Sequence, residues 1–338
     1  MNVLAQAATA TWDIVVKLQG VSKTFRQRQR SGRMADIFRD LWQPRWREVR
    51  ALQDINLTIQ RGEIVAYAGP NGAGKSTTIK LLAALLAPDT GTVRVLGYDP
   101  VRERERYVGH IGVVFGQRTE LWWDHPVAAS FTWKRVVWDI PAARYQRMLG
   151  ILTDLLGLHD FFYSLARELS LGQRMRADLA LALLHEPDIL FLDEPTLGLD
   201  VLAKRNMLQF LKDLNRHHHV TVILTSHDMA DLEQLAERIV MIDKGCIAFD
   251  GNFDHLRRTF ADRRHLYLET PDEQAPHLDG ARWVQSAGHR HEYVFDAAQI
   301  SIAVLLAQAT AQTHIVDVET HRAPIDDVIA DIYERWQR

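Results

Sequence analysis

The sequence predicts an α/β fold, a mostly parallel sheet covered by helices, with a small α+β domain behind it. Three observations carry that prediction. Helix-like and strand-like stretches alternate: helix 173–185, strand 189–193, helix 201–215, strand 220–224, helix 228–237 and strand 238–242. A continuous apolar strand over 63–69 runs directly into a glycine-rich turn and a helical stretch. Near residue 260 the texture changes to short strand-like runs around one helical segment.

Composition fits such a chain. Its 338 residues, at about 100–200 per domain, allow two or three domains. With 47% hydrophobic and 25% charged residues it is neither disordered nor low in complexity. The net charge of −3 supplies no overall basic field, so nucleic acid is not an expected partner. A single cysteine, Cys246, excludes internal disulfides and a cysteine zinc cluster, and points to a reduced cytosolic compartment. The longest apolar runs, 81–87 and 179–184, fall far short of the ~20 residues that cross a bilayer. The first residues carry no basic and apolar leader, so no secretory signal is expected.

Taken in order, residues 12–25 alternate as a strand, and 50–60 form a second through Leu52, Ile55, Leu57 and Ile59. Between them, 26–50 reads as an arginine-rich insertion. Ile37, Phe38, Leu41 and Trp42 there would share one face of a short helix ended by Pro44. The helix that follows the glycine-rich turn is expected to continue until Pro88 and Gly91 stop it. Residues 92–117 hold two further strands. Over 118–168 a helical subdomain is expected from Trp133, Val136, Val137, Met148, Ile151, Leu152 and Leu155 at three- and four-residue spacing. The main domain is placed at 12–255. The accessory domain, 256–338, contains strands near 265–270, 281–287, 291–296 and 314–320, and helices over 297–312 and 325–336.

Two motifs carry chemistry. Gly69-Pro70-Asn71-Gly72-Ala73-Gly74-Lys75-Ser76, followed by Thr77, matches G-x-x-x-x-G-K-[ST]. Its glycines let backbone N–H groups curl around phosphate oxygens, Lys75 would reach the β- and γ-phosphates, and Ser76 would ligate Mg²⁺. The following helix aims its positive end at the anion. A chance match in a chain of this length is roughly a 1% event, and the preceding strand and following helix supply the context the motif needs. The second motif, Ile189-Leu190-Phe191-Leu192-Asp193-Glu194, is an apolar strand ending in two acids. Asp193 suits water-mediated Mg²⁺ binding, and Glu194 suits polarising an attacking water.

At this point the chain, over roughly 12–250, resembles the ATP-binding-cassette (ABC) ATPases, whose motifs occur in the family's order. Gln117 stands at the Q-loop position, Leu169-Ser170-Leu171-Gly172-Gln173 resembles the LSGGQ signature, Leu197-Gly198-Leu199-Asp200 the D-loop, and His227 the switch histidine. The resemblance implies a phosphate-loop NTPase cassette with an antiparallel β subdomain and a helical subdomain, using ATP and Mg²⁺. Two copies would pair head to tail. Each ATP would be held by one chain's phosphate loop and by Ser170, Gly172 and Gln173 of the other, while Asp200 ties the two sites together. Gln117 would contact Mg²⁺, His227 the γ-phosphate, and Phe25 would stack on adenine, with Trp42 or Trp46 as alternatives. One departure is Leu171 in place of the signature's first glycine, which demands that this position avoid positive φ.

No membrane domain is fused to the cassette, so the resemblance implies a homodimer on separate multi-span permease subunits at the cytoplasmic face of the inner membrane. The wording of the phosphate loop, the signature and 116–131 is similar to cassettes of daunorubicin- and viologen-type bacterial exporters. A soluble ATPase acting on a macromolecule, or an importer subunit, is the alternative. The Trp122-Trp123 pair falls where the family's coupling helix docks, and core packing is its other reading. The arginine-rich insertion would touch lipid headgroups or the permease, or else form a solvated loop. His217-His218-His219 occupy a helix-to-strand loop with no flanking carboxylate or cysteine, so a metal role is not expected. The accessory domain is expected to dimerise, regulate or cap the cassette.

Overall fold

The computed structural model describes residues 13–29, 45–116, 118–226, 228–260 and 263–337. The chain forms two compact units, one of residues 1–227 with 234–250, the other of 228–233 with 251–338. Among the described residues no helix is long and apolar enough to cross a membrane.

The first unit opens with β1 (Ile14–Gln29) and β2 (Arg45–Gln60), which pair antiparallel, with β4 (Thr90–Val95) on the other side of β1. Val16 and Leu18 on β1, and Ile55, Leu57 and Ile59 on β2, face the core at alternate positions, and a register shift after Leu18 brings Val21 into the same core. Each such side chain contributes about 1.5–3 kcal/mol over leaving it in water. Both strands run into the stretch expected to be an insertion, in the register Phe25↔Val49 to Gln29↔Arg45. Ile37, Phe38, Leu41 and Trp42 lie outside the described residues.

Next come β3 (Ile64–Ala68) and α1 (Lys75–Leu82). The helix ends earlier than Pro88. Ala84 takes a left-handed φ of 58°, Ala84 N donates to Leu81 O and Leu85 N to Lys80 O, a closing turn usually built on glycine. After β4, α2 (Arg104–Tyr107) precedes β5 (Ile111–Phe115). The predicted helical region resolves into α3 (Val127–Val137) and α4 (Ala142–Leu156), which Gly157 terminates with φ 59°. Then α5 (Leu171–Leu183), β6 (Ile189–Asp193), α6 (Val201–His218), β7 (Thr221–Thr225), α7 (Met229–Leu235) and β8 (Arg238–Asp243) alternate as expected. A strand absent from the sequence reading, β9 (Cys246–Gly251), follows β8 through Lys244 and Gly245, both at positive φ as a two-residue hairpin turn requires.

The main sheet has the order β5-β6-β7-β3-β8-β9, and the pairs β5–β6, β6–β7, β7–β3 and β3–β8 are parallel. β7 is buried along its whole length, the mark of a strand covered on both faces. The loops after β5, β6, β7 and β3 therefore emerge side by side at one edge, where open α/β sheets bind ligands.

The second unit has α8 (Phe253–Phe260), which the sequence reading did not separate, and a four-stranded antiparallel sheet. Its strands are β10 (Arg263–Glu269), β11 (Ala281–Ala287), β12 (Arg290–Asp296) and β13 (Asp317–Arg322), in the order β11-β12-β10-β13. Between β12 and β13 runs α9 (Ile302–Thr310), whose Leu305 and Ala309 pack with Leu266, Leu268, Tyr293 and Phe295. The chain closes with α10 (Ile325–Gln337). Buried Arg257 forks onto Glu233 at 2.9 Å through Nη2, which holds 228–233 within this unit.

One buried histidine gives the first unit a pH dependence. His185 Nε2 donates to Ile111 O at 2.9 Å, its ring stacks on Trp138, and its Nδ1 is buried without a partner. Burial, followed by the nearby Lys134 charge, pushes its pKa down to about 4. A depressed base contributes stability that is present above the unfolded value near 6.5 and is lost as pH falls toward 4. Thermal unfolding across that window should show the wild type losing about 1–3 kcal/mol relative to His185→Gln, which keeps the donor and does not titrate. Parallel pH profiles of the two proteins would remove this account.

Candidate functional site

The phosphate loop, Gly69 to Ser76, joins the end of β3 to α1 and lies against the β2 and β8 backbones. A Cβ at Gly69 would fall 2.3 Å from Ile242 O, and one at Gly74 2.5 Å from Ala51 O, so neither position admits a side chain. Asn71 and Gly72 are exposed at the crest, while Ser76 and Thr77 are half-buried in the first turn of α1. Ala73 N donates to Pro70 O at 3.1 Å and closes the turn. Lys75 is only 7% exposed. Its ammonium donates to Gly69 O at 2.6 Å and Pro70 O at 3.2 Å, folding over the loop. Burial pulls its pKa below the ordinary lysine value, and the charges of Glu194 and Asp193 oppose that shift.

The two acids arrive from β6. In the sheet register Phe115, Asp193 and Thr225 stand abreast on β5, β6 and β7. Asp193 Oδ1 accepts from Thr225 Oγ1 at 2.7 Å and from Ser76 Oγ at 3.3 Å. Glu194 has a left-handed φ of 58°, a conformation that costs a non-glycine residue about 1 kcal/mol or more. Its backbone N donates to Thr225 Oγ1 at 3.1 Å, and Gly116 N donates to Asp193 O at 2.7 Å. A Cβ at Gly116 would be 2.6 Å from Glu194 O, which explains glycine at the end of β5. Thr225 is thus a site residue that sequence reasoning missed. Its signal was its place at the end of an apolar strand just before Ser226 and His227.

These groups border a cavity of about 270 Å³ that Ser76, Gly116, Asp193 and Glu194 line with Lys80 and Arg118. The convergence of a serine hydroxyl and a carboxylate, both hard oxygen donors, fits a Mg²⁺ ion. Gln117 and His227, the other residues expected at this edge, lie outside the described residues.

Phe25 is 38% exposed near the end of β1. Asp89 holds it in place, accepting from Thr24 N at 2.7 Å and from Lys23 Nζ at 2.7 Å, and Lys23 lies over the Phe25 ring at 5.8 Å. The Lys23 hydrogen bond keeps the Asp89 carboxyl below the usual carboxylate range. Trp46, also exposed, is on the facing strand.

The signature residues begin α5. Ser170 Oγ accepts from Gln173 N at 3.2 Å and Gln173 Oε1 from Ser170 N at 2.9 Å, a reciprocal cap that leaves the serine proton to be donated elsewhere. Leu171 takes helical geometry at the first position. A Cβ on Gly198 would lie 2.2 Å from Leu171 Cδ2, and one on Gly172 3.4 Å from Leu199 Cδ2. The leucine therefore packs directly onto a glycine of the 197–200 turn. Asp200 caps α6, its Oδ1 accepting from Ala203 N at 2.8 Å. Trp122 and Trp123 are 38% and 49% exposed; the first packs on Trp133 and the second lies under the Arg174 guanidinium at 5.3 Å.

Comparison with known proteins gives a consistent picture. The family described as ABC transporter matches residues 52–197. The daunorubicin resistance ATP-binding protein DrrA3 of Streptomyces coeruleorubidus is 30% identical over 284 residues, 84% of this chain and 81% of that protein. The methionine import ATP-binding protein MetN 1 of Rhodopseudomonas palustris is 36% identical over 223 residues, 64% of this chain and 58% of that protein. A dimeric ATP-binding cassette in a post-hydrolysis state, bound to ADP and Pi, superimposes with a TM-score of 0.59 at 25% identity, covering 70% of this chain and 98% of the other.

Proposed function

The chain belongs to the ABC transporter family as an ATP-binding, ATP-hydrolysing subunit, and from that premise we propose that it powers a bacterial exporter whose permease is a separate polypeptide. What supports this direction of transport is the reach of the similarity to the drug-resistance protein. The alignment with the drug-resistance protein spans 284 residues and exceeds the first unit, whereas that with the methionine importer stops at 223. The similarity to the drug-resistance relative therefore takes in part of the second unit. Two copies pair head to tail on permease subunits at the cytoplasmic face of the membrane.

In this reading Gly69 to Thr77 bind the phosphates, with Lys75 on the β- and γ-oxygens and Phe25 on the adenine face. Ser76, Asp193 and Gln117 would hold Mg²⁺, which when bound would neutralise charge developing on the phosphates. Glu194, aimed by its left-handed backbone and by Thr225, orients and deprotonates the attacking water. His227 holds the γ-phosphate. Ser170, Gly172 and the start of α5 complete the other chain's site, and Asp200 links the two. Trp122 and Trp123 form the exposed aromatic joint for the permease.

Affinity purification from detergent-solubilised native membranes tests the transport reading. A stoichiometric subunit with six apolar spans should co-purify. Recovery solely in the soluble fraction, with no membrane protein, would overturn it.

A further inference from the structure

We propose that Asp178 is a positioning residue for ATP hydrolysis: from the middle of α5 it ties the helix that carries Ser170 and Gly172 to the segment leaving the β5 edge of the same chain's own ATP site. The inference rests on the head-to-tail reading above, in which one chain contributes its phosphate-loop edge to one ATP and its signature to the other. Something within the chain must then hold these two half-sites at a constant separation.

The contacts follow one another on either side of residue 117. At the site edge, Gly116 N bonds Asp193 O at 2.7 Å and Arg118 N bonds Phe115 O at 3.0 Å. One residue further on, Thr119 Oγ1 donates to Asp178 Oδ1 at 2.8 Å, and Glu120 N donates to the same oxygen at 3.0 Å. Glu120 Oε2 accepts from Lys134 Nζ of α3 at 2.7 Å, and Trp122 N donates to Ser130 Oγ at 2.9 Å. The segment 118–122 is therefore strapped to α5 by Asp178 and to α3 by Lys134 and Ser130. Packing alone does not hold it. A cavity of about 220 Å³ lies beside it, bordered by 113–115, by Arg118, Thr119 and Glu120, and by Asp178 itself, so protein packing against the strap is incomplete on that side.

Asp178 is 7% exposed, in a stretch of α5 buried all round, with Ala177, Leu179, Ala180 and Leu181 as its neighbours. An apolar residue would serve packing better there, since a buried carboxyl is costly unless it is bonded. Burial pushes its pKa up to about 7; the Thr119 and Glu120 hydrogen bonds and Arg174 oppose the shift, and the Glu120 charge adds to it. Both hydrogen bonds fall on one oxygen, which accepts them whether or not the other oxygen carries a proton. The strap needs an acceptor at Oδ1, not a charge.

The test is steady-state ATPase of the full chain with ATP and Mg²⁺, for Asp178→Ala, Asp178→Asn, Thr119→Val and the double variant Asp178→Ala/Thr119→Val. Asp178→Ala should lower kcat about tenfold with KM for ATP unchanged, the scale on which a displaced catalytic group costs rate. Asp178→Asn, which retains Oδ1, should stay within about twofold of wild type, and the two losses should be less than additive in the double variant, since both single variants break the Thr119–Asp178 bond while only Thr119→Val also removes the acceptor of Leu121 N. Thr119→Val removes the hydroxyl without touching the helix, and should cost about threefold in kcat. Full kcat in both single variants that break the contact, equal losses in Asp178→Asn and Asp178→Ala, or a change confined to KM would each overturn the proposal. The ATP-induced dimer of Glu194→Gln is measured alongside. If that dimer does not form, the head-to-tail premise fails; if it forms and the Asp178 series is silent, the strap alone fails.

Discussion

Glu194→Gln is expected to bind ATP as the wild type does and barely to hydrolyse it. The substitution keeps size, the left-handed backbone and the N–H bond to Thr225 Oγ1, so binding geometry should survive. What disappears is a basic oxygen beside the cavity that Ser76 and Asp193 also line. Loss of a positioned base costs about 10²–10⁴ in rate, and kcat should fall by at least about 100-fold with ATP affinity within about threefold. Because hydrolysis is then too slow to release the sandwich, ATP should shift the protein to a dimer in size-exclusion chromatography, while ADP should not. Turnover near the wild-type rate would withdraw Glu194 from the role of general base.

Lys75→Ala is expected to remove ATP binding itself. The ammonium is almost fully buried and pinned over the loop by Gly69 O and Pro70 O, with two carboxylates near enough to oppose the fall in its pKa. Taking it away deletes a charge-assisted contact to phosphate and leaves Asp193 and Glu194 facing that phosphate without a compensating cation. A hydrogen bond to a charged group contributes about 1.5–3 kcal/mol, so the Kd for ATP should rise at least about 30-fold. The thermal shift that ATP gives the wild type should shrink accordingly. Lys75→Arg should not rescue it, because a planar guanidinium does not reproduce the two bonds that the compact ammonium makes to Gly69 O and Pro70 O. Unchanged ATP affinity in Lys75→Ala would remove Lys75 from phosphate recognition.

Much of the site was legible because its motifs are local. Gly69 to Ser76 and Ile189 to Glu194 state their chemistry in a few consecutive residues, and the apolar strands before each announce where they emerge. The misses have physical causes. The ends of β1 and β2 carry arginines and glutamines, yet they pair through backbone bonds from Phe25↔Val49 to Gln29↔Arg45, and an exposed ladder leaves no hydrophobic period to read. The end of α1 was missed because Ala84, not glycine, adopts the left-handed turn. Strand β9 was missed because its turn is Lys-Gly, with the lysine itself at positive φ.

What the sequence by itself determined is a set of short motifs and their order: a phosphate-loop pattern, two acids after an apolar strand and a signature-like run, whose residue types suit the groups they would bind. Only the tertiary structure decided how these runs meet. The order β5-β6-β7-β3 places four distant loops at one edge, Thr225 aims both Asp193 and Glu194, Leu171 rests on Gly198, and Asp178 reaches Thr119 across 59 positions of chain. Such contacts depend on strand order and on close packing between segments far apart in sequence, and no local spacing records them.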